Sequence, residues 1–261
     1  MRNRAISQWM GLFSQKQAIK MEICKLMTEE KLQGIVLKLT DYKEADKLAS
    51  IFTLEQGIVS AKFTGVKKEK AKLKALAQPF VFAEFNLASK GNLKQVINAT
   101  LIDNFYPILS DYNKTICAYI VLDIVNTILP TNKPEKELFV LTLNTLKNIE
   151  KYNPFVATID YILQFFAFSG VGLELPETDY VYFNKFNAEF EKSSTNNSVQ
   201  IDKKVYSILK EINSNSNQVL QIENETNNAE NFNEKYKQIL RLLNNIIFAK
   251  FNDEIKSFSF I

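Results

Sequence analysis

The chain has 261 residues, 46% of them apolar and 23% charged, with a formal charge of +3; this is an ordinary globular composition, long enough to bury a core without staples and to divide into two units. It has no histidine and only two cysteines, Cys24 and Cys117, neither in a CxxC pair, which excludes a Ser-His-Asp or Cys-His catalytic arrangement and a Cys/His zinc site. The longest mid-chain apolar run, "TICAYIVLDIVNTIL", carries Asp123 and falls short of the ~20 residues that span a bilayer, so a buried helix is expected there and no membrane crossing; unpaired thiols and the lack of a secretory h-region point to a reducing cytoplasm.

The positive charge is unevenly distributed. Residues 1–26 carry a net +4, residues 27–100 set twelve lysines against eight acids, and the remainder is net negative. An electrostatic partner is therefore to be sought in the first hundred residues.

The opening segment, "MRNRAISQWMGLFSQKQAIKMEICKL", holds two of the three arginines and the only tryptophan. It reads as a poorly ordered extension of 26 residues, with a basic amphipathic helix on a membrane or polyanion as the competing reading. Strand patterns follow. "LQGIVLKL" (32–39) is apolar and β-branched, "DYKEAD" is a polar turn, and "KLASIFT" (47–53) leads into Gly57, suited to the positive φ of a hairpin. In "GIVSAKFTGV" Val59, Ala61 and Phe63 alternate with Ser60, Lys62 and Thr64, predicting one buried and one wet face. "FVFAEFNLAS" (80–89) and "LKQVINATLIDNF" (93–105) make a further hairpin. Five strands with a long connection between the third and fourth predict a closed five-stranded Greek-key barrel of OB type over residues 27–105.

Within that long connection, Lys67, Lys68, Lys70, Lys72 and Lys74 fall within eight positions, offset only by Glu69. Lysines follow a phosphate backbone without demanding a base sequence, and OB barrels lay single strands on the faces and loops near strands two to four. Lys38, Lys43 and Lys62 extend the stripe. For an isolated lysine run the default is a solvated loop kept soluble by charge; placement in a barrel, together with the family resemblance given below, makes these eight lysines the expected DNA contacts. Phe80 and Phe82 serve as stacking platforms if they face out and as barrel core if they face in; core is preferred, because a barrel must fill its interior. Tyr42 is the more exposed stacking candidate. Glu44 and Asp46 in "KEAD" read as a solvated turn rather than an acid/base or metal pair.

From residue 106 the period becomes helical. Helices are expected over "DYNKTICAYIVLDIVNTIL", ending at Pro130, over "KPEKELFVLTLNTLKNIEKY", over "NPFVATIDYILQFFAFSGVG" with Gly170 and Gly172 as stops, and over "DKKVYSILKEI" and "EKYKQILRLLNNIIFAKF". "KSSTNNSVQ" and "NSNSNQ...NETNNAENFN" read as solvated loops or insertions. The fold class is thus α+β, a barrel followed by an α-helical domain over 106–261.

The run "GIVLKLTDYKEADKLASIFTLEQGIVSAKFTGVKKEKAKLKALAQPF", then "FAEFNL...GNL", "AYIVLDIVNTIL", "FSGVGLELP" and the closing "IKSFSFI" resemble, in order and spacing, the bacterial recombination mediators of the RecO family. The resemblance covers almost everything from Met27 onward apart from the Asn-rich stretches. It implies an OB-fold barrel and a helical domain with no catalytic site. It further implies binding of single- and double-stranded DNA, annealing of complementary strands, and partnership with RecR and with the single-stranded DNA-binding protein SSB, helping to load RecA during DNA repair. Many family members carry a four-cysteine zinc site after the glycine stop, but "ELPETDYVYFNKFNAEF" has no cysteine, so a metal-free region is expected; the segment before Met27 also lies outside the family pattern. The acidic SSB tail would need an apolar pocket with a positive rim, for which Lys114, Lys147, Lys151 and Arg241 stand among apolar stripes that are themselves core. The reading is a cytoplasmic, nucleoid-associated binding protein without cofactor, metal or turnover. The alternatives are an OB-fold RNA-binding protein and a carboxylate-only, metal-dependent phosphoryl-transfer enzyme.

Overall fold

The computed structural model describes residues 29–90, 93–178, 181–222 and 229–261; the expected N-terminal extension lies outside them. Five strands, β1 (Glu29–Tyr42), β2 (Asp46–Thr53), β3 (Gly57–Phe63), β4 (Phe82–Lys90) and β5 (Leu93–Asp103), close into a barrel in the order β1-β2-β3-β5-β4. β1 is longer than its apolar run because it serves two neighbours. Its first half pairs with β4 and its second half with β2, with a register shift between Val36 and Lys38 where the strand turns from one to the other. β3 pairs with β5 in parallel at Ala61↔Lys94 and Lys62↔Gln95, which closes the cylinder.

The expected alternation along β3 holds: Val59, Ala61 and Phe63 are buried in the barrel interior with Val36, Ile51, Val81, Ala83, Phe85 and Leu87. Where the helices cover it, the outer face of the barrel wall is apolar as well. Ile35, Leu37, Phe52, Ile58, Phe80 and Phe82 belong to a second core, shared with the helices. β1 reads as a continuous apolar run because both its faces are covered.

Phe80 and Phe82 therefore face neither the solvent nor the barrel interior. Their rings leave the barrel wall and pack on Tyr119, at 4.8 Å between centroids, and on Phe139, at 6.2 Å. Expected as barrel core, they instead join the barrel to the helical region, while the intervening Val81 and Ala83 fill the barrel.

A short helical turn, α1 (Tyr106–Leu109), leads to α2 (Tyr112–Ile128), α3 (Lys136–Lys151) and α4 (Pro154–Phe168). Asp111 caps α2 by accepting from the Lys114 amide at 2.9 Å, and Asn153 caps α4, whose first residue is proline. Gly170, at φ 72°, ends α4, with the Val171 amide returning to the Phe166 carbonyl at 2.9 Å. α4 is buried on nearly every side and forms the axis of the bundle. Asp123, the acid in the apolar run, accepts a hydrogen bond from Ser257 of the closing 3-10 segment Lys256–Phe260.

The Asn- and Ser-rich segments are not simple loops. β6 (Tyr182–Asn184), β7 (Glu189–Glu191) and β8 (Ser198–Gln200) form a small sheet ordered β7-β6-β8, so part of "KSSTNNSVQ" is a strand. Likewise α5 (Lys203–Ile222) runs through "NSNSNQ", broken at Asn215, and α6 (Ala229–Phe251) begins inside "NNAENFN". Polar composition does not register these elements, because the sheet is tied by side-chain hydrogen bonds, and the helices are held by buried residues outside the polar runs, Val205, Leu209 and Ile212 on α5 and Tyr236, Ile239 and Leu240 on α6.

Candidate nucleic-acid interface

The connection from Thr64 to Phe80 is a folded cap over one end of the barrel. Val66 and Ala77 are buried in the barrel core, and Leu73 and Leu76 pack against it. Successive turns carry the backbone: the amides of Lys68, Ala71, Lys74 and Ala77 donate to the carbonyls of Gly65, Lys68, Ala71 and Leu73. Small and apolar residues face the barrel, which leaves Lys68, Lys70, Lys72 and Lys74 exposed to solvent.

Two contacts fix this cap to the neighbouring hairpin. The Gly65 amide donates to Asp46 Oδ1 at 2.7 Å, with Gly65 at φ 70°, and the Lys67 amide donates to the Ala45 carbonyl at 3.1 Å. Asp46 is thus a structural clamp. Its side chain is only 14% exposed and also lies 3.9 Å from Lys62 Nζ, so it differs from the solvated turn residue expected beside Glu44, which is exposed. Sequence offered no signal for this role, since donor and acceptor lie nineteen positions apart.

Strand register places the other expected lysines on the outer face. Lys38 stands opposite Ser50, and Ser50 opposite Ser60; one row nearer the cap, Leu48 stands opposite Lys62, and Lys62 beside Gln95. Lys38 is exposed, whereas Lys62 is half-buried against Asp46. In the turn between β1 and β2, Lys43 adopts φ 55° and brings its ammonium 5.5 Å from the centroid of the Tyr42 ring. Tyr42 is 36% exposed, and its turn is pinned to the cap through Ala45 and Lys67. The structure therefore assembles Lys38, Lys62, the Tyr42–Lys43 turn and the lysine cap into one outer quadrant of the barrel.

Lys67 stands apart from the other four. Its side chain is 29% exposed, and its ammonium bonds Asp41 at 2.9 Å. That hydrogen bond, with the charges of Lys67 and Lys47, holds the Asp41 carboxyl below the ordinary aspartate range. Lys47, which sequence reasoning passed over, lines a cavity of about 600 Å³ at the barrel mouth together with Lys67, Lys74, Phe80, Leu109 and Tyr119. The strand position of Lys47 marked it as inward-facing, but only the arrival of α1 and α2 builds the opposite wall.

Two of the helical-region cations are engaged elsewhere. Lys114 Nζ donates to the Glu150 carbonyl at 2.7 Å, and Arg241 donates to Glu234 and to the main-chain oxygen of Ile261. Lys147 and Lys151 are exposed on α3. In place of zinc-binding cysteines, the small sheet has a polar clasp. Glu191 accepts from Asn184 at 2.8 Å, from Ser198 at 2.7 Å and from Thr195 at 3.1 Å, and these bonds, Ser198 first, keep its carboxyl below the ordinary glutamate range. Among the described residues, no three Asp, Glu or Cys side chains come together as a metal-ligand set, and no helix is long and apolar enough to cross a membrane.

The recombination protein O N-terminal family model matches residues 27–105, and the recombination protein O C-terminal model matches residues 109–245. A DNA repair protein RecO of Listeria welshimeri is 29% identical over 143 residues, covering 54% of this chain and 56% of that protein. The RecO proteins of Acetivibrio thermocellus and Bacillus pumilus are 33% and 30% identical over 121 residues, 46% of this chain and 48% and 47% of theirs. These alignments span about half the length of the relatives. With the two family models matched one after the other, the second over more than half of the sequence, the chain belongs to the recombination protein O (RecO) family of DNA repair proteins.

Proposed function

We propose that this chain is a DNA-binding recombination mediator without enzymatic turnover. It holds single- and double-stranded DNA on the barrel, anneals complementary strands and, with RecR and the C-terminal tail of SSB, helps to load RecA onto single strands in the nucleoid. The observation that carries this reading is the exposed row Lys68, Lys70, Lys72 and Lys74 on a cap fixed beside the polar outer face of a closed barrel. Point charges on a rigid support attract phosphates wherever the bases lie, and exposed faces of OB barrels present such a track. The names of the relatives, DNA repair protein RecO, support the same assignment.

A strand-annealing assay with and without SSB tests it. The expected result is faster pairing of complementary oligonucleotides, retained when both strands carry SSB. Spontaneous-rate annealing in both arms overturns the mediator reading. Preference for structured RNA in competition against single-stranded DNA would reassign the barrel to RNA, and strand cleavage with Mg²⁺ or Mn²⁺ would reveal a phosphoryl-transfer enzyme.

A further inference from the structure

We propose that the cavity between the barrel mouth and α2 receives one unstacked nucleotide of a bound single strand, its phosphate among Lys47, Lys67 and Lys74 and its base against Tyr119. The inference rests on the DNA-binding reading above and adds a place where the strand leaves the outer face and enters the molecule.

Size and chemistry agree on this occupant. At about 600 Å³ the cavity lies within the range of about 300–1,000 Å³ typical of small-molecule sites. Its two walls differ in kind. The barrel and its cap contribute three ammonium groups, while the helical side contributes Leu109 and Tyr119 over Phe80. A mononucleotide unit has the same division, an anion at one end and a flat apolar face at the other. Tyr119 is 36% exposed, and its ring is tilted 59° against that of the fully buried Phe80, with 4.8 Å between centroids. Phe80 thus braces a partly exposed ring that lines the cavity and can stack on a base.

Asp41 marks where the anion belongs. Its carboxylate bonds Lys67, a lining residue, at 2.9 Å, and its side chain is 71% exposed, so an arriving phosphate can displace it and take over the ammonium. The cavity also adjoins the exposed track, because Lys74 belongs to both. Duplex DNA keeps its bases stacked and cannot fill the apolar half, so the cavity favours single strands.

The test uses the full chain and a single-stranded oligonucleotide carrying one 5-iododeoxyuridine. Ultraviolet cross-linking followed by peptide mapping is expected to place the adduct on Tyr119. Tyr119→Leu should abolish that adduct and weaken single-strand binding about five- to tenfold, the size of one lost base stack, while duplex affinity stays within twofold. Lys47→Met leaves the helical core untouched and should weaken single-strand over duplex binding in the same sense, so the inference stays testable if Tyr119→Leu misfolds. Adducts confined to the cap or outer face, with both variants binding single strands like the wild type, overturn the cavity assignment but leave DNA binding intact. Absence of single-strand binding by the wild type overturns both. Protection of Tyr119 by an acidic peptide ending in an aromatic residue, but not by oligonucleotide, reassigns the cavity to a protein partner and also overturns the proposal.

Discussion

The ring of Phe80 lies against that of Tyr119, with 4.8 Å between centroids, and this contact joins the end of the lysine cap to the helical bundle. Phe80 sits at φ 70°, its amide donating to the Val36 carbonyl at 3.0 Å at the turning point of β1. The end of the cap is thus held by the barrel through its backbone and by α2 through its side chain. A lysine-bearing loop anchored this way offers its charges in a fixed pattern rather than as a flexible tether.

The cap lysines should reveal themselves through salt. Each lysine that neutralises a phosphate on a single strand contributes about 0.7 to the slope of log affinity against log salt. Replacing Lys68, Lys70, Lys72 and Lys74 with alanine should weaken binding across unrelated sequences and flatten that slope, with little change in melting temperature, because these side chains are exposed. Salt titration of oligonucleotide binding checks this; an unchanged slope at equal stability would make the cluster a solubility feature.

Lys67 should behave differently. Its hydrogen bond is the leading cause of the lowered Asp41 carboxyl, so in Lys67→Ala the Asp41 titration, followed by NMR, should move up toward the ordinary aspartate value. In Asp41→Asn the freed ammonium should raise single-strand affinity by about two- to threefold at low salt, an advantage that fades as ions screen the pair.

The junction between barrel and helices should carry much of the stability. Phe82 is 8% exposed and meets Phe139 edge-on, so Phe82→Ala should cost about 3–5 kcal/mol. A double-mutant cycle with Phe139→Leu should return a coupling of about 0.5–1.5 kcal/mol. Urea unfolding of the four proteins measures both quantities, and purely additive losses would show that the rings share a core without coupling.

Gly57 should tolerate no side chain. It takes φ 71°, and a Cβ there would fall 1.9 Å from the Lys133 carbonyl oxygen, where Asn132 donates its amide to Ile58 at 2.9 Å and ties β3 to the link between α2 and α3. Gly57→Ala should therefore lie at the severe end of point mutations, at about 4 kcal/mol or more. Thermal unfolding of Gly57→Ala beside Gly172→Ala, where a Cβ meets open space, separates crowding from the general effect of losing a glycine.

The small sheet should weaken in acid. Because the Glu191 carboxyl is lowered in the folded protein, its contribution is present above the ordinary glutamate value and is lost as pH falls through the folded-state value. Hydrogen exchange of the β6–β8 amides should accelerate over that interval, and Glu191→Gln should remove the pH dependence. Chelators should leave the same amides unaffected; chelator-induced exchange would show that a metal stabilises this sheet.

Much of the protein is legible in the chain itself. Alternation in β3, the hairpin glycine at 57 and the stop at Gly170 are local signals, and each is read correctly because its cause lies within a few residues. The lysine cluster itself is visible in the chain, since charge density needs no tertiary context, but its folding into a cap is not. Three features only the tertiary structure decided. The face to which Phe80 and Phe82 turn depended on α2 and α3 covering the barrel wall, because a strand buried on both sides loses the polar alternation that would orient it. Asp46 became a clamp, and Lys47 part of a cavity wall, only when segments far apart in sequence met. Finally, the Asn- and Ser-rich stretch formed a sheet because Asn184, Thr195 and Ser198 converge on one carboxylate; composition registers the polarity of such side chains but not their convergence, which depends on how the chain folds back on itself.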